Sequence, residues 1–140
     1  MTTDLTEPTI RQIEEITMNQ TTITDIATVG VPVSDQDKAV EFFVGTLGFE
    51  KRLDAPVSES FRWITVAAPG ASTSVALVAN PETGADTGIR FTVPDAEAEH
   101  RAMRERGVDA GDLLRWPGVP AMFEFKDPDG NKFVIVEGTA

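Results

Sequence analysis

The chain carries one short pattern twice, and this internal repeat constrains its fold more than any other feature. In each copy an extended apolar run ends at an aspartate, a helical pattern follows, and a glycine closes it. The aspartates are Asp35 and Asp95, 60 positions apart, and the glycines are Gly48 and Gly107. Aspartate and glycine are favoured at the beginnings and ends of helices. Within 140 residues, such a repeat predicts one domain, or two small half-domains that share a core.

Period-two alternation of apolar residues supplies the strands of each half. The first half is predicted as β-α-β-β-β, with strands over residues 23–33, from 49 onward, over 61–66 and over 74–79. The second half begins with a strand in GIRFTVPD, continues with a helix through Ala98, Ala102 and Met103, and ends with a hairpin. The two halves therefore follow the same order of elements.

The turn of the terminal hairpin, residues 127–131, reads DPDGN. Pro128 presets the backbone angle of a turn, and Gly130 supplies a positive φ. A calcium loop would need further oxygen ligands, but Lys132, Phe133 and the apolar residues after them follow instead. We therefore expect a hairpin turn without a cation.

Composition narrows the class of partner. The 12 Lys and Arg residues against 23 Asp and Glu residues give a net charge of −11, which repels phosphate backbones, so we expect no nucleic-acid partner. No apolar run approaches membrane-spanning length, and the opening MTTDLTEPT lacks the apolar stretch of a secretory signal. The chain has no cysteine, and so neither a thiolate nucleophile nor a thiolate metal site. We expect a cytoplasmic protein that contacts no membrane.

The repeat and its flanks divide the chain into four predicted segments. They are an N-terminal arm or helix over residues 1–21, a first βαβββ module over 22–80, a polar linker over 81–86, and a second βαβββ module over 87–138. In the first segment, Ile10, Ile13 and Ile16 would form a narrow apolar stripe along a helix. This stripe favours a packed helix over a loosely attached arm.

Three stretches resemble one family of proteins. They are VPVSDQDKAVEFFVGTLGFE, the Arg-Gly-Val at the end of the second helix, and FKDPDGNKFVIVE. Together they resemble the vicinal oxygen chelate superfamily, which includes glyoxalase I, extradiol dioxygenases, fosfomycin-resistance thiol transferases and bleomycin-resistance proteins. The resemblance covers roughly residues 22–138. It implies an α+β fold in which paired βαβββ modules form curled mixed sheets around a cleft, often completed by a second subunit. We accordingly expect a homodimer.

The resemblance also implies where a metal would bind. Enzymes of this superfamily hold a divalent metal with His, Gln or Glu from four strands. The matching positions here are Thr28, Ala76, Gly88 and Val134. These side chains cannot build the first coordination shell of a divalent metal, which needs carboxylate or imidazole donors. We expect no metal and no other cofactor, and we expect His100, the single histidine, to be a solvated residue on its helix.

Counting at period two from those four positions predicts which side chains face the cleft. The predicted set is Thr28, Gly30, Trp63, Thr65, Ala76, Val78, Arg90, Thr92, Met122 and Glu124. Trp116, in a loop bounded by proline and glycine, would form a lip over the cleft. The result is a largely apolar pocket for a small apolar or aromatic molecule, with Arg90 and Glu124 as a candidate ion pair. The alternative is that Trp63 belongs to the core, and that Arg90 and Glu124 form a partly buried ion pair that binds no ligand.

Three functions remain open at this point. The first is a binding protein that sequesters a drug-like or natural-product ligand, as bleomycin-resistance proteins do. The second is a metal-free lyase, isomerase or cyclase of natural-product metabolism, with Glu124 as base and Arg90 polarising a carbonyl; a neighbouring arginine would lower the pKa of that base. The third is a metal-dependent enzyme of glyoxalase or dioxygenase type, which requires a different strand register. The sequence favours binding and does not identify the ligand.

Overall fold

The computed structural model describes residues 9–12 and 20–138. Residues 10–12 are helical, and a reciprocal capping box precedes them: the Thr9 amide donates to Gln12 Oε1 at 2.8 Å, and the Gln12 amide donates to Thr9 Oγ1 at 3.1 Å. The rest of the predicted N-terminal helix, with Ile13 and Ile16, lies outside the described residues. The first strand begins at Thr28 rather than at residue 23, because residues 20–27 are exposed and make no sheet pairing.

The first sheet has four strands, ordered β1-β4-β3-β2. Their bounds are β1 Thr28–Val33, β2 Glu50–Ser58, β3 Phe61–Ala67 and β4 Ser74–Ala79. Strand β1 runs parallel to β4, whereas the other pairs are antiparallel. The sheet is therefore mixed, and β1 forms one of its edges.

The first helix, α1, spans Gln36–Val40 and continues as a π-helical turn over Glu41–Thr46. Asp35 caps its beginning, since its Oδ1 accepts from the Lys38 amide at 3.1 Å. The wider turn shows in a hydrogen bond from the Leu47 amide to the Phe42 carbonyl, five residues back, at 2.9 Å. The sequence predicted one regular helix from the aspartate to Gly48, and the structure corrects its second half.

The second module repeats this order with additions. Its elements are β5 Asp86–Val93, α2 Ala96–Glu105, β6 Asp109–Ala110, β7 Leu114–Trp116, β8 Val119–Lys126 and β9 Lys132–Glu137. The sheet order is β5-β9-β8-β6, and β7 also pairs with β8. Asp95 caps α2 as Asp35 caps α1, accepting from the Ala98 amide at 3.0 Å. The short strands β6 and β7 were not predicted. The predicted fold class, an α+β fold of curled mixed sheets, is confirmed.

One apolar core joins the two modules. Phe42 and Phe43, adjacent on α1, contact Phe125 and Phe133 of the second sheet, with ring centroids 6.5 Å and 5.8 Å apart. Val31, Ile64 and Leu77 of the first sheet belong to the same buried cluster. Each sheet thus has a core face, which packs against helices, and an opposite face. Because both core faces enclose one shared core, the two opposite faces point outward from it.

The edges β1 and β5 stay open in this chain. Strand β1 pairs with β4 and β5 pairs with β9, and within the described ranges no ladder pair joins β1 to β5. An open strand edge presents unpaired N–H and C=O groups to whatever lies beside it. None of the described helices is long and apolar enough to cross a membrane.

Candidate cleft faces and an intermodular cavity

The face of the first sheet that points away from the helices is named here the first cleft face. Ladder pairs place Gly30 and Thr65 beside Ala76, on the two sides of β4. The predicted residues of this sheet all share that face: Thr28, Gly30, Trp63, Thr65, Ala76 and Val78. Their neighbours in sequence, such as Val31 and Ile64, lie in the core instead. On this face Thr65 and Ala76 are buried and Trp63 is half-buried.

The corresponding surface of the second sheet is named the second cleft face. Val134 pairs with Arg90 on one side and with Glu124 on the other, so these three side chains share it. Thr92 and Met122 flank Val136 in the same way. Arg90, Thr92 and Glu124 are exposed. All four predicted residues of this sheet therefore lie on one open surface.

Trp116 also belongs to the second cleft face, although it was predicted in a loop. It lies in strand β7, where Leu114 pairs with Met122. Arg115, between Leu114 and Trp116, points to the helix side and holds Glu97 at 2.8 Å. Alternation along β7 then puts Leu114 and Trp116 on the side away from the helix, with Leu114 beside Met122 and Trp116 beside Val119, past a shift in register. Trp116 is 55% exposed, so it is a surface aromatic side chain.

The predicted ion pair between Arg90 and Glu124 does not form in this structure. The two residues flank Val134 on neighbouring strands, which separates their backbones by roughly 10 Å. Arg90 Nη1 instead approaches the Gly88 carbonyl oxygen at 3.4 Å. Among the described side chains no salt bridge includes Glu124. Its carboxylate is therefore available to a ligand.

The four positions where the resemblance implies metal ligands do not fit a metal. The Thr28 hydroxyl donates to the Ser74 carbonyl at 3.1 Å, and Ala76, Gly88 and Val134 have no donor side chain. Across residues 9–12 and 20–138, no three His, Cys, Asp or Glu side chains come together as a metal site would require. We derive no chemistry through a metal.

His100 is not the solvated residue that was expected. Its ring is half-buried, lies edge-on to Phe123 with centroids 4.9 Å apart, and has Nε2 2.7 Å from the Gly111 carbonyl oxygen. Because a carbonyl only accepts, Nε2 carries the proton. Glu137, on the face of β9 opposite Val134, points to the helices: its Oε1 accepts from the Ala96 amide at the start of α2. Both side chains have structural partners.

A cavity of about 690 Å³ lies between the two modules. The first module contributes the starts of β1 and β4, the β3–β4 loop and residues 47–49. The second contributes β5, part of α2, and core side chains of β8 and β9. Of the predicted site residues, Gly30, Arg90 and Thr92 reach it, whereas both tryptophans lie elsewhere. No local pattern reveals this cavity, because it depends on how the modules pack.

Comparisons with known proteins agree with this architecture. A model of the Glyoxalase/Bleomycin resistance protein/Dioxygenase superfamily matches residues 25–135. The Bacillus subtilis (strain 168) protein YetH is 32% identical over 124 residues, which cover 82% of this chain and 99% of YetH.

Two solved structures are similar across nearly their whole length. A superfamily member from Sphaerobacter thermophilus DSM 20745 is 36% identical with a TM-score of 0.78, covering 83% of this chain and 98% of that one. TnmS3, an antibiotic binding protein from Streptomyces sp. CB03234, is 34% identical with a TM-score of 0.78, covering 86% and 100%. The chain is therefore a member of the Glyoxalase/Bleomycin resistance protein/Dioxygenase superfamily.

Proposed function

We propose that the protein binds a drug-like or natural-product ligand without transforming it. The observation that carries this proposal is the second cleft face. It exposes Trp116 at 55% and Leu114 at 37%. Leu114 pairs with Met122, two positions along β8 from Glu124, whose carboxylate has no ion-pair partner among the described residues. A sheet face with an aromatic side chain, apolar neighbours and few polar groups has the composition of a small-molecule site.

The proposed site is completed by a second copy of the chain. In one chain the two cleft faces point away from the shared core, so neither has a facing wall. The open edges β1 and β5 would let the first cleft face of one copy meet the second cleft face of its partner. Each cleft of the homodimer would then hold Trp63 from one protomer and Trp116 from the other.

The chemistry of the site favours a neutral or cationic aromatic ligand. The tryptophans offer flat apolar surfaces for stacking, and Glu124 offers a carboxylate to a polar group. The net charge of −11 repels anions. The similarity to an antibiotic binding protein supports the same reading. A sequestered ligand needs no metal, and the four positions implied for a metal lack donors.

Tryptophan fluorescence tests the proposal, because Trp63 and Trp116 are the only tryptophans. The probes are bleomycin and a panel of fused-ring aromatic antibiotics. Binding of a probe should change the tryptophan emission. In calorimetric titrations, Trp63→Ala or Trp116→Ala should weaken the binding free energy by about 1–3 kcal/mol. Arg101→Ala, an exposed side chain on α2, is the control and should bind as the parent does.

The fate of the ligand separates binding from catalysis. Mass spectrometry after long incubation should recover the ligand unchanged. Turnover that Glu124→Gln abolishes would overturn sequestration in favour of a metal-free lyase or isomerase. Unaltered affinity in both tryptophan variants would instead show that the ligand binds elsewhere.

A further inference from the structure

The cavity between the modules has the size and lining of a ligand site. Its volume of about 690 Å³ lies within the usual range for small-molecule pockets. Its walls are mainly apolar, and six of the larger side chains are Leu47, Phe49, Ile89, Phe91, Met103 and Ile135. Phe49 meets Phe91 edge-on with ring centroids 5.4 Å apart. These rings offer both a face and an edge to an aromatic guest.

One acidic side chain on this wall has no partner among the residues that the structure describes. Glu99 lies on α2, one turn before Met103, and both residues line the cavity. Glu99 is half-buried, yet its carboxylate makes no hydrogen bond or ion pair with any described residue. A partly desolvated carboxylate without a partner is stabilised by a cation placed against it.

The other charge at the cavity is Arg90, and it differs from Glu99 in setting. Arg90 is exposed, projects from the opposite face of β5, and approaches the Gly88 carbonyl. Solvent screens it more than it screens Glu99. The chain's net charge of −11 adds to the preference for a cationic guest.

We propose that the intermodular cavity is a second binding site, which takes an aromatic molecule carrying a basic amine, with the aromatic part against Phe91 and the amine at Glu99. Trp63, Trp116, Met122 and Glu124 do not line it. The cavity shares Gly30, Arg90 and Thr92 with the edges of the two cleft faces, but its aromatic wall and Glu99 belong to neither face. Binding here does not depend on the two tryptophans of the proposed cleft.

The test uses monodansylcadaverine, an aromatic sulfonamide with a primary amine, and its N-acetyl derivative, which lacks the charge. The dansyl emission should rise and shift to the blue when the parent protein is added. The acetylated probe should bind about tenfold more weakly, since it loses a charge-assisted hydrogen bond. In Glu99→Gln the two probes should bind with equal affinity. Glu105→Gln, on the same helix but outside the cavity, should retain the parent's preference.

Two further variants locate the bound probe. Ala68→Phe, which fills the cavity from the β3–β4 loop, should abolish the binding of both probes while circular dichroism remains unchanged. Trp63→Ala and Trp116→Ala should bind as the parent does. The proposal is overturned if the parent binds neither probe, if Glu99→Gln keeps the tenfold preference, or if the tryptophan variants lose binding.

Discussion

At the scale of single residues, Asp127 shows how burial can outweigh hydrogen bonding. Its Oδ1 accepts from the amides of Asp129 at 3.0 Å and Asn131 at 2.9 Å, and its Oδ2 accepts from Asn131 Nδ2 at 2.8 Å. These bonds favour the carboxylate. Burial favours the neutral acid and wins, so the pKa of Asp127 is raised above the usual aspartate value. The folded state holds this proton more tightly than the unfolded chain.

We expect this ionisation to reduce stability as the pH rises. Below the ordinary aspartate pKa of 3.8, both states are protonated and the stabilising contribution is fully present. It is lost as the pH rises through the raised pKa of folded Asp127. Urea unfolding of the parent and of Asp127→Asn, compared from acidic to neutral pH, measures the contribution of Asp127 to the unfolding free energy. The parent's unfolding free energy minus that of the variant should fall across this window; a rise would contradict the assignment.

Individual residues also show what the sequence could and could not predict. The side-chain directions of Gly30, Thr65 and Ala76 follow from alternation along a strand, and the register agrees. The environment of His100 does not follow from its helix. Its partner Phe123 lies on another element, and only tertiary packing brings the two together.

At the scale of elements, Asn131 joins three segments that are distant in sequence. It is fully buried. Its Nδ2 donates to the Pro32 carbonyl at the end of β1, at 2.8 Å. Its Oδ1 accepts from the amides of Gly84 and Ala85 in the linker, at 3.0 Å and 2.9 Å. Asp129, in the same turn, accepts hydrogen bonds from the amide and hydroxyl of Ser34. Through the bonds of Asn131 and Asp129, the β8–β9 turn connects the second module to the first.

Replacing Asn131 should therefore destabilise the whole molecule. In Asn131→Ala, the amides of Gly84 and Ala85, the Pro32 carbonyl and Asp127 Oδ2 lose their side-chain partner. This loss should lower the unfolding free energy by about 2–3 kcal/mol. Chemical denaturation measures this change. Asn80→Ala is the matched control, because the exposed side chain of Asn80 makes a single hydrogen bond to the described residues, accepted from the Glu82 amide. A loss in Asn131→Ala no larger than in Asn80→Ala would show that the turn does not fasten the modules.

The elements themselves were predictable where the local pattern decides them. Asp35, Asp95 and the DPDGN turn carry their own capping and turn chemistry, and they form where predicted. The π-helical turn over Glu41–Thr46 was missed, because Phe42 and Phe43 are both drawn into the core and the helical period alone does not reveal this. Strand β7, three residues long, is set by pairing with β8.

At the scale of the whole molecule, the arrangement of the modules decides where a site can form. The repeat predicts two modules that share a core, but the same strand patterns would suit a cleft within one chain or across two. The contacts of Phe42 and Phe43 with the second sheet turn the cleft faces away from one another. That packing also creates the intermodular cavity, which cannot be predicted from any single segment of the sequence.

The proposed cleft across two copies can be tested by mixing two variants that each bind the ligand more weakly than the parent. A homodimer of Trp63→Ala or of Trp116→Ala has no intact cleft, because each of its two clefts has lost one of the two tryptophans. A mixed dimer would have one cleft without either tryptophan and one cleft with both. If equal amounts are unfolded together and refolded, roughly half of the dimers should be mixed, and about a quarter of the parent's sites should return.

Calorimetric titration of the refolded mixture, with the antibiotic that binds the parent most tightly, measures this directly. We expect a high-affinity component with the parent's dissociation constant and about a quarter of its stoichiometry. A mixture that binds no better than the two variants measured separately would contradict a cleft built from two copies.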